Sequence, residues 1–451
     1  MATPIIAPEA CPLTSGYAYR DSLCHSPTGV GQLNKKAVLP DLLSPEHIEC
    51  PYHLYQQLHR DSGVAEDPAV GVVVAGYRDL VELSRNTALF SSSISEDGKG
   101  PRHMGVGKEP VQADVEEILA LAHPLENALF TADPPEHTRH RKLISKALSP
   151  RRVRKLEPAI RQLANELLDA FIDDGQVDFL PRFAIPLPLT VIADILGVDR
   201  ADIATFKHWG DLMISGNVDV LSHERRREVA HAVVALHRYF VPRIEQRRLE
   251  PTDDLLSDMV NAEVDGEGRL STAELLPIID QVLLAGHETT TNLIGNAMLV
   301  LLRDPALMAR LRANPGLIEA FVEEALRYDP PIQCTYRRAT ADTDLRGVPV
   351  SSGAMVVPLW AAAGHDPTVF EQPERFDPDR PNVRQHMGFG YGPHFCAGAE
   401  LARLEARIAF ETLLERLDDI ELDEPASDLG HLPSFAARGY RRVMLRFSKR
   451  A

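Results

Sequence analysis

The chain has 451 residues, 65 acidic against 48 basic, for a formal charge of −17 at neutral pH. That length can bury a substantial core as one large domain or two to three ordinary ones, and 44% hydrophobic with 25% charged residues excludes a disordered or fibrous chain. The acidic balance argues against nucleic acid as a partner, because phosphate recognition needs a basic excess. Five cysteines, Cys11, Cys24, Cys50, Cys334 and Cys396, are sparse and unclustered. This argues against a disulfide framework and for a reducing compartment. The first residues lack the basic start and continuous apolar core of a signal peptide. No run of about 18 apolar residues occurs, so no membrane span is expected. The best stretch, 281–302, is interrupted by His287, Glu288, three threonines and two asparagines. Together these features point to a cytoplasmic protein.

Residues 1–45 are rich in Pro, Gly and Ser and weakly periodic, the composition of an extended arm laid on a single domain spanning 46–451. From Pro51 the pattern turns mostly helical, interrupted at 91–111 by a stretch that reads as a long loop of the functional kind. Helices are predicted over 135–148, 151–173, 188–196, 200–214 and 223–249. Ser271-Thr272-Ala273-Glu274 is a capping box, and periodicity runs from it to about Arg303, where Asp304-Pro305 stops it. About 30 residues at 1.5 Å rise make a helix of about 45 Å, enough to cross a domain. Pro277 falls in its early turns, so the helix either starts later than the box or bends there. Helices over 305–313 and 315–328 follow, the second ended by Asp329-Pro330-Pro331. Strand-like runs at 346–350 and 354–359 precede an irregular Pro- and Asp-rich stretch, 365–384, and a last strong helix covers 398–417. The expected fold is mainly α with a minor β region, and no internal repeat is evident.

The most informative segment runs from Phe389 to Gly398, FGYGPHFCAG, directly into the last helix. Three glycines around one cysteine let the backbone turn tightly and approach a large flat ligand. The helix that follows aims its free N–H groups at the sulfur, which favours thiolate, a strong soft-metal ligand. A lone cysteine in a turn is more often a buried, inert thiol, but the spacing argues otherwise. Phe389, Gly390, Gly392, His394, Cys396 and Gly398 together resemble the haem-binding signature of the cytochrome P450 family. A chance match of all six is on the order of one in 10^5 to 10^6.

The resemblance implies that Cys396 is the axial ligand of haem b, that His394 contacts a haem propionate, and that the fold is a triangular helical prism with its long central helix over the haem. Ala285-Gly286-His287-Glu288-Thr289-Thr290, midway along the long helix, resembles the family's oxygen-binding motif. Its small residues let a planar cofactor lie close, and its acid and hydroxyl can relay protons. Its consecutive threonines can bond back to carbonyls and loosen a turn. A zinc protease motif, H-E-x-x-H, fails here because Thr291 stands where the second histidine belongs. Glu324 and Arg327 match the family's E-x-x-R pair, whose implied role is an ion pair locking the irregular segment under the haem. His137 and Arg141, four apart and so on one helical face, resemble propionate-binding positions. Arg337 matches a further one, with Arg338 leaving a one-residue ambiguity. Phe389, Gly390, Gly398 and Ala285 complete the implied haem contacts.

The activity so implied is that of a haem-thiolate monooxygenase. It would insert one atom of O2 into a hydrophobic small molecule such as a terpenoid, steroid, fatty acid or aromatic, with Glu288 and Thr289 delivering protons. No flavin or iron–sulfur motif occurs, so electrons must arrive from outside, by implication from ferredoxin and ferredoxin reductase. Between Arg139 and Arg161 there are nine Lys or Arg residues and one acid, Glu157, a cluster suited to steering an acidic partner. Pocket positions carried over by resemblance fall at 91–129, at 213–218, at Leu284 and Ala285, at 332–335 and at Phe435, with Met213, Leu284, Ile332, Thr335 and Phe435 as candidates. A peroxide-driven haem enzyme would not need the Glu288–Thr289 pair, and a non-catalytic haem sensor would need neither that pair nor the basic cluster.

Overall fold

The helix Thr272–Arg303 runs through the protein as its axis. The computed structural model describes residues 42–93, 111–124, 126–218, 221–264 and 268–450. The predicted arm thus lies almost wholly, and the predicted loop at 91–111 mostly, outside the described residues. The capping box sets the axis: Glu274 N donates to Ser271 Oγ at 3.2 Å and Ser271 N to Glu274 Oε2 at 2.8 Å. Pro277 lies inside the helix, so the box marks the true start and the proline removes one backbone bond. Leu275, Ile279, Leu283, Leu293, Ala297 and Leu301 are all buried, as expected of a helix apolar on nearly every face.

Against the axis pack Pro186–Ile195, Ile203–Val218, His223–Leu249 and Ala399–Arg416; Pro150–Asp169 lies on Ala399–Arg416 and Pro186–Ile195, and Glu136–Ala147 is tied to the axis by the Arg139–Glu274 ion pair. These match the predicted helices to within a few residues. The architecture is mainly α with a minor β region, as expected. One five-stranded sheet has the order Val64–Asp67, Gly71–Val74, Met355–Pro358, Arg337–Ala339, Phe90–Ser91. Its first two strands fall where the sequence reads as mostly helical. The antiparallel hairpin they form pairs Val64 with Val74, and its β-branched run Val72 to Val74 is buried from both sides. The strand predicted at 346–350 begins only at Val348, because Arg346 and Gly347 adopt positive φ of 56° and 87° and make the hairpin turn. At the C-terminal end, Leu417–Leu422, Met444–Lys449 and Gln176–Asp178 form a three-stranded sheet that closes the helical core.

Cys334 and Cys396 are free thiols and Cys50 is disulfide-bonded, a single bridge rather than the disulfide framework the cysteine pattern argued against. Among the described residues no helix is long and apolar enough to cross a membrane.

Candidate active site

The segment before the last helix folds as a tight cysteine loop. Gly390 and Gly392 take positive φ of 72° and 73°, which glycine adopts without a Cβ penalty. A Cβ on Gly392 would also meet the Ser84 carbonyl oxygen at 3.0 Å. Cys396 N donates to Phe389 O at 2.9 Å, closing the loop, and Gly398 caps the helix Ala399–Arg416. The loop is buttressed from behind. Arg403 Nε donates to Glu323 Oε1 at 2.5 Å, His386 Nε2 to Glu323 Oε2 at 2.9 Å, and Gly388 N to His386 Nδ1 at 3.1 Å. Burial works to raise the Glu323 carboxyl, but these partners hold it down at about 2. The Arg403 guanidinium lies 4.7 Å from the Phe389 ring centroid, a cation–π contact.

Cys396 opens on a cavity of about 440 Å³. Burial pushes its thiol up, against the opposing Gly398 N–H and the Arg141 and Arg403 guanidiniums. The helix terminus alone therefore does not hold a thiolate here, contrary to the sequence expectation. A coordinated metal ion would, since it deprotonates a ligating thiol outright.

Four nitrogen-bearing side chains converge at one side of the same cavity. His137 and Arg141 come from the helix Glu136–Ala147, Arg337 from the sheet and His394 from the cysteine loop. The His137 and His394 rings lie tilted by 33° with centroids 3.9 Å apart, and Ser92 Oγ lies 3.0 Å from His394 Nε2. Burial, then the charge of Arg141, pushes His137 down to about 4; burial, then Arg337, pushes His394 down to about 2. Arg337 itself is lowered to about 10 by burial. Of the two candidate arginines, Arg337 lines the cavity whereas Arg338 Nε donates to Ser93 O at 3.2 Å, successive strand residues facing opposite ways. Among the described residues no carboxylate lies within ion-pair distance of Arg141 or Arg337. Arg337 is buried and Arg141 half-buried, and the acid acting on Arg337, Asp133, stays outside ion-pair distance; guanidiniums so placed are costly without close partners, so the site fits a ligand that brings its own carboxylates. The two propionates of haem b meet that need, and Cys396 offers the soft donor its iron takes.

The opposite wall is the central helix, with Leu284, Ala285, Gly286, Glu288, Thr289 and Thr290. Thr289 Oγ1 donates back to Ala285 O at 2.8 Å, and Thr291 Oγ1 reaches across to Ala184 O at 3.1 Å. Ala285 leaves room toward the cavity. Gly286 owes its size to another neighbour, since a Cβ there would sit 2.6 Å from Ile192 Cδ1. His287 turns away, bonding Leu283 O at 3.0 Å.

Phe389, Gly390, Gly398, Ile332 and Thr335 also line the cavity. Two candidates do not. Met213 is fully buried in the helical core, and Phe435 packs against the cluster containing Tyr52, Tyr55 and Cys334. The neighbouring Ala436 and Ala437 line the cavity instead. Glu324 and Arg327 are completely buried and joined by two bonds of 2.7 Å.

Sequence reading missed Gln281, Trp360 and Glu405 as lining residues. Trp360 Nε1 donates to Thr335 Oγ1 at 2.9 Å. Glu405, an acid among the apolar positions of the last helix, is 1% exposed with Oε2 unpaired, and burial raises its carboxyl well above the usual range. An acid whose folded pKa is raised stabilises the fold below its unfolded pKa and loses that contribution as pH climbs. Glu405→Gln is thus expected to match the wild type in acid. Above about pH 4.3 it should gain increasingly in relative stability, as read by urea denaturation across a pH series.

A family model for cytochrome P450 matches residues 201–427. The chain is 39% identical over 335 residues to cytochrome P450 107B1 of Saccharopolyspora erythraea, covering 74% of this chain and 80% of that protein. It is 34% identical over 416 residues to 6-deoxyerythronolide B hydroxylase of the same organism, covering 90% and 98%. The solved structure of CYP109Q5 from Chondromyces apiculatus superposes with a TM-score of 0.79 at 34% identity, covering 91% of this chain and 98% of that one.

Proposed function

Since this chain belongs to the cytochrome P450 family and is a haem-thiolate monooxygenase with haem b as cofactor, we propose that residues 46–451 act as one domain that hydroxylates a hydrophobic small molecule held between the central helix and the haem. The unneutralised pair Arg141 and Arg337 beside a free Cys396 carries this reading. In it Cys396 is the iron ligand. His137, Arg141, Arg337 and His394 hold the propionates, and Ala285, Phe389, Gly390 and Gly398 shape the walls of the haem slot. Haem b supplies the iron chemistry that splits O2 and transfers one oxygen atom to carbon.

The protein's own part is protons, shape and exclusion of water. Thr289 Oγ1 donates to Ala285 O at 2.8 Å; to pass a proton into the cavity the hydroxyl must turn from that carbonyl, and the neighbouring Glu288, once its carboxylate has taken a proton from solvent, resupplies the one the hydroxyl gives up. Leu284, Ile332, Ile192, Leu293 and Ala437 make the space apolar, which suits a terpenoid, steroid, fatty acid or aromatic. The relative named 6-deoxyerythronolide B hydroxylase is by its name a hydroxylase of an organic small molecule, which supports the hydroxylation reading. Thr289→Ala is expected to consume reduced nicotinamide at a near-normal rate while product per O2 falls at least about tenfold, the balance appearing as hydrogen peroxide. Unchanged coupling would refute the proton role and favour the peroxide-driven reading.

The electron donor in this proposal is an acidic ferredoxin with its reductase. Of the nine basic residues between Arg139 and Arg161, Lys142, Lys146, Arg151, Arg154 and Lys155 are exposed. Arg139, Arg152 and Arg161 are instead spent on ion pairs with Glu274, Asp258 and Glu411. Phe395, 37% exposed beside the cysteine, adds an apolar contact on the loop. Product formation with ferredoxin, reductase and a nicotinamide coenzyme, suppressed by salt, is the test. It also separates a monooxygenase from a haem sensor.

A further inference from the structure

We propose that Gln281 is a positioning residue that fixes the room available to substrate, by clamping the cavity wall at 128–131 to the central helix. Gln281 is 2% exposed and sits one turn before Ala285. Its amide is used at both ends: Nε2 donates to Ala128 O at 2.8 Å and Thr131 Oγ1 at 3.4 Å, while Oε1 accepts from Phe130 N at 3.1 Å. Only this orientation satisfies a carbonyl and an N–H together.

The segment it grips needs holding. Leu129 has a φ of 42°, a conformation unfavourable to a leucine that persists only where its surroundings impose it. Within the segment, Thr131 Oγ1 closes on Ala128, accepting from its N at 3.2 Å and donating to its O at 3.0 Å. That turn is self-contained and does not attach the wall to anything. Attachment comes from two sides, from His140 Nδ1, which accepts from Leu129 N at 3.3 Å, and from Gln281 on the central helix. Leu129, Phe130, Thr131 and Gln281 all line the cavity. The side chain that sets the distance between this wall and Leu284 and Ala285 is therefore Gln281, although it is polar and carries no proton for the reaction.

The inference rests on the haem reading, because its test uses iron as the anchor. The holoenzyme and the variants Gln281→Leu and Gln281→Glu are titrated with 1-methylimidazole and 1-octylimidazole, whose ring nitrogen binds haem iron and whose alkyl chain probes the space above it. In the wild type a perturbed haem spectrum with both probes, together with the thiolate-type carbon monoxide band, validates the haem reading independently of Gln281. With the clamp lost, the wall must be ordered by each long ligand at an entropic cost. The preference for octyl over methyl should then fall at least about fivefold in both variants, with methyl affinity and the carbon monoxide band unchanged. A preference that falls less, holds or rises overturns the proposal. So does failure of both variants to hold haem, which would assign Gln281 to folding alone.

Discussion

Replacing Cys396 by serine is expected to abolish the thiolate-type carbon monoxide band of the reduced protein. Monooxygenase turnover should fall by at least about a thousandfold, equal to about 4 kcal/mol in the barrier. The reason lies in the donor atom, since a thiolate pushes electron density through iron and weakens the O–O bond, whereas a serine oxygen is a hard, weakly acidic donor that does neither. Haem should nevertheless remain bound, because His137 and Arg141 approach the cavity from the helix Glu136–Ala147 and Arg337 from the sheet, outside the cysteine loop. Pigment retained with the altered band and lost turnover is the expected combination. An unchanged band would place the ligand elsewhere and remove the basis of the proposed site. The same variant tests the acidity argument. Burial raises the free thiol, so the wild-type protein should release a proton on taking up haem, and Cys396→Ser should release none.

Much of this site could be read from the residues because its chemistry is local. The loop Phe389 to Gly398 needs two glycines at positive φ next to a sulfur, and a fixed spacing expresses that directly. The central helix announces itself by a capping box and a stop signal, and both stand where the sequence put them. What stayed hidden depends on long-range packing. Strand Gly71–Val74, on which Val64–Asp67 pairs, is built by pairing with Met355–Pro358, almost 300 residues away, and no local period encodes that partner. Met213 failed as a pocket candidate because an apolar helical residue looks the same facing a core or a cavity. Gln281 and Glu405 were passed over for the converse reason. A polar residue on an apolar helix signals a buried partner, but only the fold reveals that Gln281 has three and that Glu405 Oε2 has none.

Arg327→Ala is expected to be the most destabilising single change outside the cysteine loop, by about 3–5 kcal/mol, the usual cost of stripping one partner from a buried ion pair. The guanidinium is spent on more than Glu324. Nη1 donates to Gly364 O at 2.7 Å and Pro373 O at 2.8 Å, and Nη2 to Arg375 O at 3.0 Å, so one side chain fixes three carbonyls of the irregular segment predicted at 365–384 and its approach. Glu324 in turn receives Arg380 Nε at 3.1 Å and Asp377 N at 2.8 Å. Gly364 is pressed so closely on this arrangement that a Cβ would lie 2.3 Å from Arg327 O. Against a total stability of about 5–15 kcal/mol, the loss should show as a lower urea midpoint and a reduced haem-to-protein ratio, because the segment leads directly into Phe389 and Cys396. Arg327→Lys distinguishes charge from geometry. An ammonium keeps the charge but not the planar fork that spans a carboxylate and three carbonyls at once, so lysine should recover less than half of the lost stability. If lysine instead restores the wild-type midpoint and haem content, the carbonyl network is dispensable and the pair acts by charge alone.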